Sequence, residues 1–325
     1  MSHSRAAIAI AAATIVLAAG ACGSYAGGTA PASGSTALKD CPSGPMSPKP
    51  AVGGPAGPGN VVPVDTGTLL RSGTIPQIHC GRTPVATRTG AVYATVPLPG
   101  GRTEQLAMDI QFPLTIGTKP LLVYVPGGGF QTADKNGNLA LRTFAAEAGY
   151  VVASIQYRVQ PDGATYVDSI SDVKAAVRYL RAHSTTYQID TSAVAVWGDA
   201  AGGYLAAMTG VTTGDRTYDV GDNLDQGSDV QAVVVKNIGG PAGFARANPI
   251  GYVKPTDPPF VFFHGNADTT ISPSETVDLH KALRAAGVDS TCYVVDGAAN
   301  GDSPQWTTPT VAGKLIDFLN QHLKR

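Results

Sequence analysis

Gly198-Asp199-Ala200-Ala201-Gly202-Gly203 follows a short β-rich run, Val194 to Trp197. In a G-x-S-x-G turn the third residue sits on a sharp strand-to-helix bend that pushes its hydroxyl toward a substrate. Ala200 occupies that position and has no hydroxyl to present. Three other segments carry groups of matching chemistry. Tyr124-Val125-Pro126-Gly127-Gly128-Gly129-Phe130 offers backbone N–H groups for a developing oxyanion, and His264-Gly265-Asn266-Ala267-Asp268 offers a carboxylate. Asp296-Gly297-Ala298-Ala299-Asn300-Gly301 follows the last strand-like run with an amide. Asn300 cannot take a proton near neutral pH, because an amide does not titrate there.

These segments need elements to hold them. Strand-like and helix-like runs alternate along most of the chain, the pattern of an α/β fold with a mostly parallel central sheet and helices on both faces. Ala91 to Leu98 and Gln105 to Phe112 read as an opening hairpin. Leu121 to Val125, Val151 to Tyr157, Val194 to Trp197, Val230 to Val235, Phe260 to Phe263 and Thr291 to Val295 read as short strands. In Ser169 to His183, the residues Ile170, Val173, Val177 and Leu180 share one helix face. Ser272-Pro273-Ser274-Glu275 has the form of a capping box with proline at the first helical position, opening a helix to about Ala286 that Gly287 closes. The four chemical segments then fall at strand ends, along the carboxyl edge of the sheet.

In that order and placement they resemble the carboxylesterase branch of the α/β-hydrolases, which includes hormone-sensitive-lipase-like and bacterial feruloyl-esterase-like proteins. Tyr157-Arg158, the Asp172 to Arg178 helix and Trp197-Gly198-Asp199 extend the resemblance, which runs from about Val92 to the C-terminus. It implies an oxyanion hole from Gly128, Gly129 and the N–H of Ala201, an acid at Asp268, and nucleophile and base positions at Ala200 and Asn300. Pro126 stands where the oxyanion loop of that family has histidine. A triad works by attack of serine, proton transfer to histidine and orientation by aspartate. The resemblance therefore leaves this chain with the acid and the oxyanion donors alone. His3, His79, His183, His264, His280 and His322 are its histidines, and none lies in the loop after the last strand. His264 and Asp199 are expected in structural roles. Asp302 is a second candidate carboxylate, weighed against a solvated loop residue.

Composition sets wider limits. The 325 residues are 43% hydrophobic with a formal net charge of −1, enough for one sizeable core and without basic blocks that would suggest nucleic acid. Residues 1–21 read as a secretory signal, Ala6 to Ala19 being too short and too small-residued for a membrane span. Ala19-Gly20-Ala21-Cys22 resembles a bacterial lipobox. Export with membrane anchoring through a lipidated Cys22 is expected, with simple cleavage nearby as the alternative. Residues 22–86 read as a Gly/Pro/Ser-rich tether and transitional segment, and 87–325 as the hydrolase domain. Export places the cysteines in an oxidising compartment, where Cys41 and Cys80 are expected to pair and Cys292 to be a buried thiol. Thr212 to Ser228, polar and glycine-rich, is expected to border the pocket entrance. No metal-ligand cluster or dinucleotide fingerprint is present, so no cofactor is expected.

Several functions stay open. One is a non-hydrolytic catalyst of proton transfer, elimination or cyclisation on a carbonyl-bearing small molecule. It would use the oxyanion donors and an Asp268 whose pKa is raised by a partly apolar pocket. A second is an inactive pseudo-hydrolase that binds an ester-like or hydrophobic ligand. A third is a carboxylic ester hydrolase engineered from serine to alanine, and a fourth is hydrolysis by water activated at Asp268. The departure at Asn300 argues against engineering, since removing the base after the nucleophile changes almost nothing further.

Overall fold

A computed structural model describes residues 39–42, 67–71, 77–239, 246–301 and 303–324. Cys22, the signal segment and Asp302 lie outside the described residues. The chain opens with strands β1 (Lys39–Asp40), β2 (Thr68–Leu70), β3 (His79–Cys80), β4 (Val85–Leu98), β5 (Arg102–Pro113) and β6 (Lys119–Val125). Helix α1 (Leu139–Glu147), β7 (Val151–Ile155), α2 (Tyr166–Ala182), α3 (Ser184–Tyr187), β8 (Ile189–Asp199) and α4 (Ala201–Val211) follow. Then come β9 (Ala232–Lys236), β10 (Phe260–Gly265), α5 (Ser274–Ala285), β11 (Ser290–Val295) and α6 (Pro309–Leu323).

Nine strands of the described residues form one sheet in the order β2-β11-β10-β9-β8-β6-β7-β5-β4. The strands from β6 through β11 pair in parallel, and the expected β4–β5 hairpin joins antiparallel at one edge. Parallel strands covered on both faces read as continuous apolar runs, because alternate side chains enter different cores. In β6, Leu121, Val123 and Val125 pack toward α2 and α4, while Leu122 and Tyr124 pack toward α1 and α6. The four residues assigned to one face of α2 are all fully buried.

Three details differ from the sequence expectation. Thr68–Leu70, inside the segment read as transitional, pairs in parallel with Tyr293–Val295 of β11, so the sheet draws on residues before 87. The capping box before α5 does not form: Glu275 is drawn away to the guanidinium of Arg246, and Ser274 N–H donates instead to Ser272 Oγ at 3.3 Å. The segment 212–228, expected at the pocket entrance, leaves the C-terminal end of α4 and packs along α2, with Lys174 Nζ 5.7 Å from the Tyr218 ring. There the buried Lys174 and Arg178 of α2 hold it by its carbonyls, at Thr212, Asp215, Asp222 and Val220.

Candidate active site

Ala200 joins β8 to α4 with φ 51° and ψ −114°, a region that costs an L-residue about 1–3 kcal/mol and persists only where the surroundings impose it. The backbone around it supplies that constraint. Ala200 N–H donates to Lys236 O at 2.9 Å, and its carbonyl accepts from Gly239 N–H at 3.3 Å. A methyl group at Gly198 would overlap the carbonyl oxygen of Gly202, and one at Gly202 would overlap that of Val125. The glycine spacing is therefore required by close backbone approach, whatever side chain stands at 200. Position 200 itself is half-buried, so the corner opens toward a ligand.

Facing the corner is the glycine run Gly127 to Gly129. Gly128 and Gly129 have φ 136° and 60°, and Gln131 N–H donates to Gly128 O at 2.9 Å, closing a turn. A β-carbon built on Gly127 comes within 3.5 Å of Ala200 Cβ, which puts this run against the elbow. Ala201 is the first residue of α4, where a helix leaves its N–H groups without internal partners. Among the described residues, no hydrogen bond is donated by the N–H of Gly128, Gly129 or Ala201. Pro126 ties the loop to its neighbours by accepting from Tyr157 Oη at 2.8 Å.

The acid corner lies beyond β9. Asp268 Oδ1 accepts from the N–H groups of Thr270 and Ile271 at 2.8 and 2.9 Å, and Oδ2 accepts from Asn300 Nδ2 at 3.2 Å. The structure thus brings Asp268 and Asn300 together across 32 residues, in the relation a triad acid has to its base. Its surroundings are not the partly apolar pocket expected. Backbone and amide donors ring the carboxylate, and its side chain is wholly buried, 0% exposed, so a ligand in the corner meets other groups first. His264 takes the structural role: Nε2 donates to Ile271 O at 3.3 Å, leaving Nδ1 to accept from Thr276 Oγ1 at 2.8 Å. Burial holds its pKa below the usual histidine value, partly opposed by Asp268 at 3.7 Å.

Asp199 is also structural, but its partners were not readable from sequence. One oxygen accepts from Lys236 Nζ at 2.9 Å, from Tyr124 Oη at 3.0 Å and from Asn138 Nδ2. The Lys236 ammonium lies 5.0 Å from the Trp306 ring, whose N–H donates to Ala299 O at 2.8 Å, next to Asn300. The signal in the sequence was the lysine that ends Val233-Val234-Val235-Lys236, since a buried lysine needs a counter-charge. Its pairing with Asp199 depends on the β8–β9 register, which no local pattern encodes. Beyond Ile238 lies a cavity of about 330 Å³, bordered by Arg246, Asn248, Ile250, Glu275 and Leu279. Ala200, Asp268 and Asn300 do not line it.

With this geometry in place, comparison with known proteins is informative. The BD-FAE family model matches residues 108–246 and 236–283, more than half of the chain. The chain belongs to the BD-FAE family. Strands β6 to β10, the elbow and Asp268 fall within the match, and β2, β4, β11 and Asn300 lie beyond it. Esterase LipC of Mycobacterium tuberculosis is 31% identical over 240 residues, 62% of this chain and 58% of that protein. A probable carboxylic ester hydrolase of the same organism, LipM, is 27% identical over 54% of this chain and 48% of its own length. The chain thus spans about half the length of these curated relatives. Among solved structures, a truncated carbohydrate esterase from gut microbiota superimposes with a TM-score of 0.61 at 24% identity, covering 74% of this chain and 97% of that one. An esterase of the Planctomycetes species Thermogutta terrifontis, with propionate bound, gives 0.58 at 20% identity, covering 74% and 92%. This BD-FAE protein is an esterase/lipase-like α/β-hydrolase in family and fold.

Proposed function

We propose that this BD-FAE protein binds an ester- or carbonyl-bearing small molecule at the esterase-type corner without forming an acyl-enzyme. The observation that carries the reading is Ala200 at φ 51° on an intact elbow, beside an Asn300 amide held 3.2 Å from Asp268. The sharp turn at Ala200 and the free N–H groups beside it support the reading, while the side chains at the nucleophile and base positions are methyl and amide. A carbonyl oxygen can still be held by N–H groups at 128, 129 and 201, because oxyanion-type binding needs no nucleophile. The ligand class follows the carboxylic ester named for the relative LipM.

Non-hydrolytic catalysis by the same donors is the second reading, with proton transfer, elimination or cyclisation as the reaction class. The Asn300–Asp268 contact favours it, because a carboxylate that orients an amide can act through it on a bound carbonyl compound. The full burial of the Asp268 side chain weighs against direct proton transfer to a ligand. The Cys41–Cys80 disulfide supports export, since such bonds persist in oxidising compartments. Lipidation of Cys22 would then hold the site at the cell surface.

The test is to add p-nitrophenyl acetate and a fluorophosphonate probe to the unaltered protein. Saturable quenching of tryptophan fluorescence by the ester, with no nitrophenol release above a heat-denatured control and no label incorporated, is the expected result. Stoichiometric labelling, or turnover that the probe blocks, would overturn the proposal.

A further inference from the structure

The loop that carries Asn300 is held by residues more than two hundred positions earlier in the chain. Asp296 N–H donates to Leu70 O at 3.1 Å, Gln77 Nε2 to Pro304 O at 3.1 Å, and Ile78 N–H to Thr307 O at 2.8 Å. Thr307 Oγ1 also donates to Gln77 Oε1. The first of these contacts continues the β2–β11 ladder, so the loop leaves its strand already clasped by the N-terminal segment. That segment is fixed in turn at its far end. Gly81 and Arg82 N–H groups donate to the Glu147 carboxylate at 2.7 and 3.0 Å, and the Arg82 guanidinium stacks on Phe144 at 4.1 Å.

Between these anchors sits the Cys41–Cys80 disulfide, which joins β1 to β3 across a sequence separation of 39. Cys41 N–H donates to Ile78 O at 3.3 Å, the residue whose own N–H holds Thr307. A short two-stranded ribbon of this size has little stability of its own. Gln77 and Ile78 are therefore kept in register with the loop by the covalent closure beside them together with the Glu147 anchor.

We propose that the disulfide-closed N-terminal strap, residues 67–71 and 77–80, is a redox-sensitive clamp that positions the Asn300 loop. A dithiol reductant opens it: one thiolate attacks a sulfur of the bond to give a mixed disulfide, and the second closes the reductant's own ring. Cys41 and Cys80 take up two electrons and two protons as thiols, and the reductant leaves as a cyclic disulfide. The loop then loses the backbone contacts at Ile78 and Leu70, and with them the register that sets Asn300 against Asp268. The inference stands on the strap contacts and is independent of the ligand that the corner takes.

Hydrogen exchange with mass spectrometry on the intact protein, with and without dithiothreitol, tests this. Cys292 is buried, with its thiol pushed up to about 12, so alkylation of the folded reduced protein, read peptide by peptide to set Cys22 apart, reports Cys41 and Cys80. Upon reduction, exchange in the 296–308 peptide should accelerate by about tenfold, with β6 and β8 peptides within about twofold of their starting rates. The double variant Cys41→Ser/Cys80→Ser should show the fast pattern without reductant and no response to it. Should that variant fail to fold, Gln77→Ala with the disulfide intact carries the test, and should accelerate the same peptide by about threefold. An unchanged 296–308 peptide after reduction, or equal acceleration of every strand, would overturn the clamp.

Discussion

The elbow and the acid corner lie at the same edge of the sheet, yet they are held in different ways. Around Ala200 the restraints are backbone on backbone: two hydrogen bonds to the segment 236–239 and two glycines against carbonyl oxygens. Around Asp268 they end on side chains, with the Asn300 amide and the carboxylate as the elements that meet. An elbow built from backbone keeps its shape when the side chain at its tip changes. Its presence therefore says little about whether a nucleophile is there, whereas the acid corner is sensitive to every residue type in it.

The widest separation between the two regions should come from Gly202→Ala. The added methyl meets the carbonyls of Val125, the last residue of β6, and of Pro126 just after it, both backbone atoms that cannot turn aside as a side chain would. A loss of at least about 4 kcal/mol in urea denaturation, or failure to fold, is expected. A cost under about 1 kcal/mol would mean that the elbow is looser than described. Asp268→Ala comes next. It removes the charged acceptor shared by the part-buried N–H groups of Thr270 and Ile271 and the Asn300 amide, for about 2–3 kcal/mol in the same assay. A neutral result would remove the corner from the account.

The elbow strain predicts a smaller effect of opposite sign. Ala200→Gly frees the positive φ without adding an atom and should stabilise by about 1 kcal/mol, read as a raised melting temperature. Destabilisation would show that the strained conformation is not held against a cost. Last is the titration of His264. Its folded pKa lies below the unfolded value of about 6.5, so the unfolded chain binds the proton first as pH falls. The stability that it contributes is complete above about pH 6.5 and is lost below it, as pH falls toward the folded pKa. His280 and His322 shift the same way through burial, so an NMR titration of the His264 ring separates its part. A midpoint at or above the free value would contradict the buried neutral ring.

The sequence showed most of the sheet because each parallel strand is an uninterrupted apolar run, and it showed the elbow and oxyanion loop because glycine spacing reports close backbone approach. Asp268 and Asn300 were readable as residues at strand ends, and the 3.2 Å contact between them follows from that placement. What escaped were pairings across distant segments. Lys236 with Asp199 depends on register, and Glu275 pairs with the half-buried guanidinium of Arg246, a charge-assisted contact stronger than the expected cap. The anchoring of 212–228 on Lys174 and Arg178 was missed because its polarity suggests a surface loop but does not tell which helix holds it. Thr68–Leu70 was missed because three residues carry no period.

The central claim is that the site keeps its scaffold and lacks the nucleophile and its base. Turnover of p-nitrophenyl acetate by Ala200→Ser/Asn300→His tests it most directly, measured against the unaltered protein and both single variants. The account predicts inert single variants and a double variant at least about 10³-fold above the parent, labelled by fluorophosphonate. A parent as active as the double variant, or a folded double variant that stays inert, would contradict it.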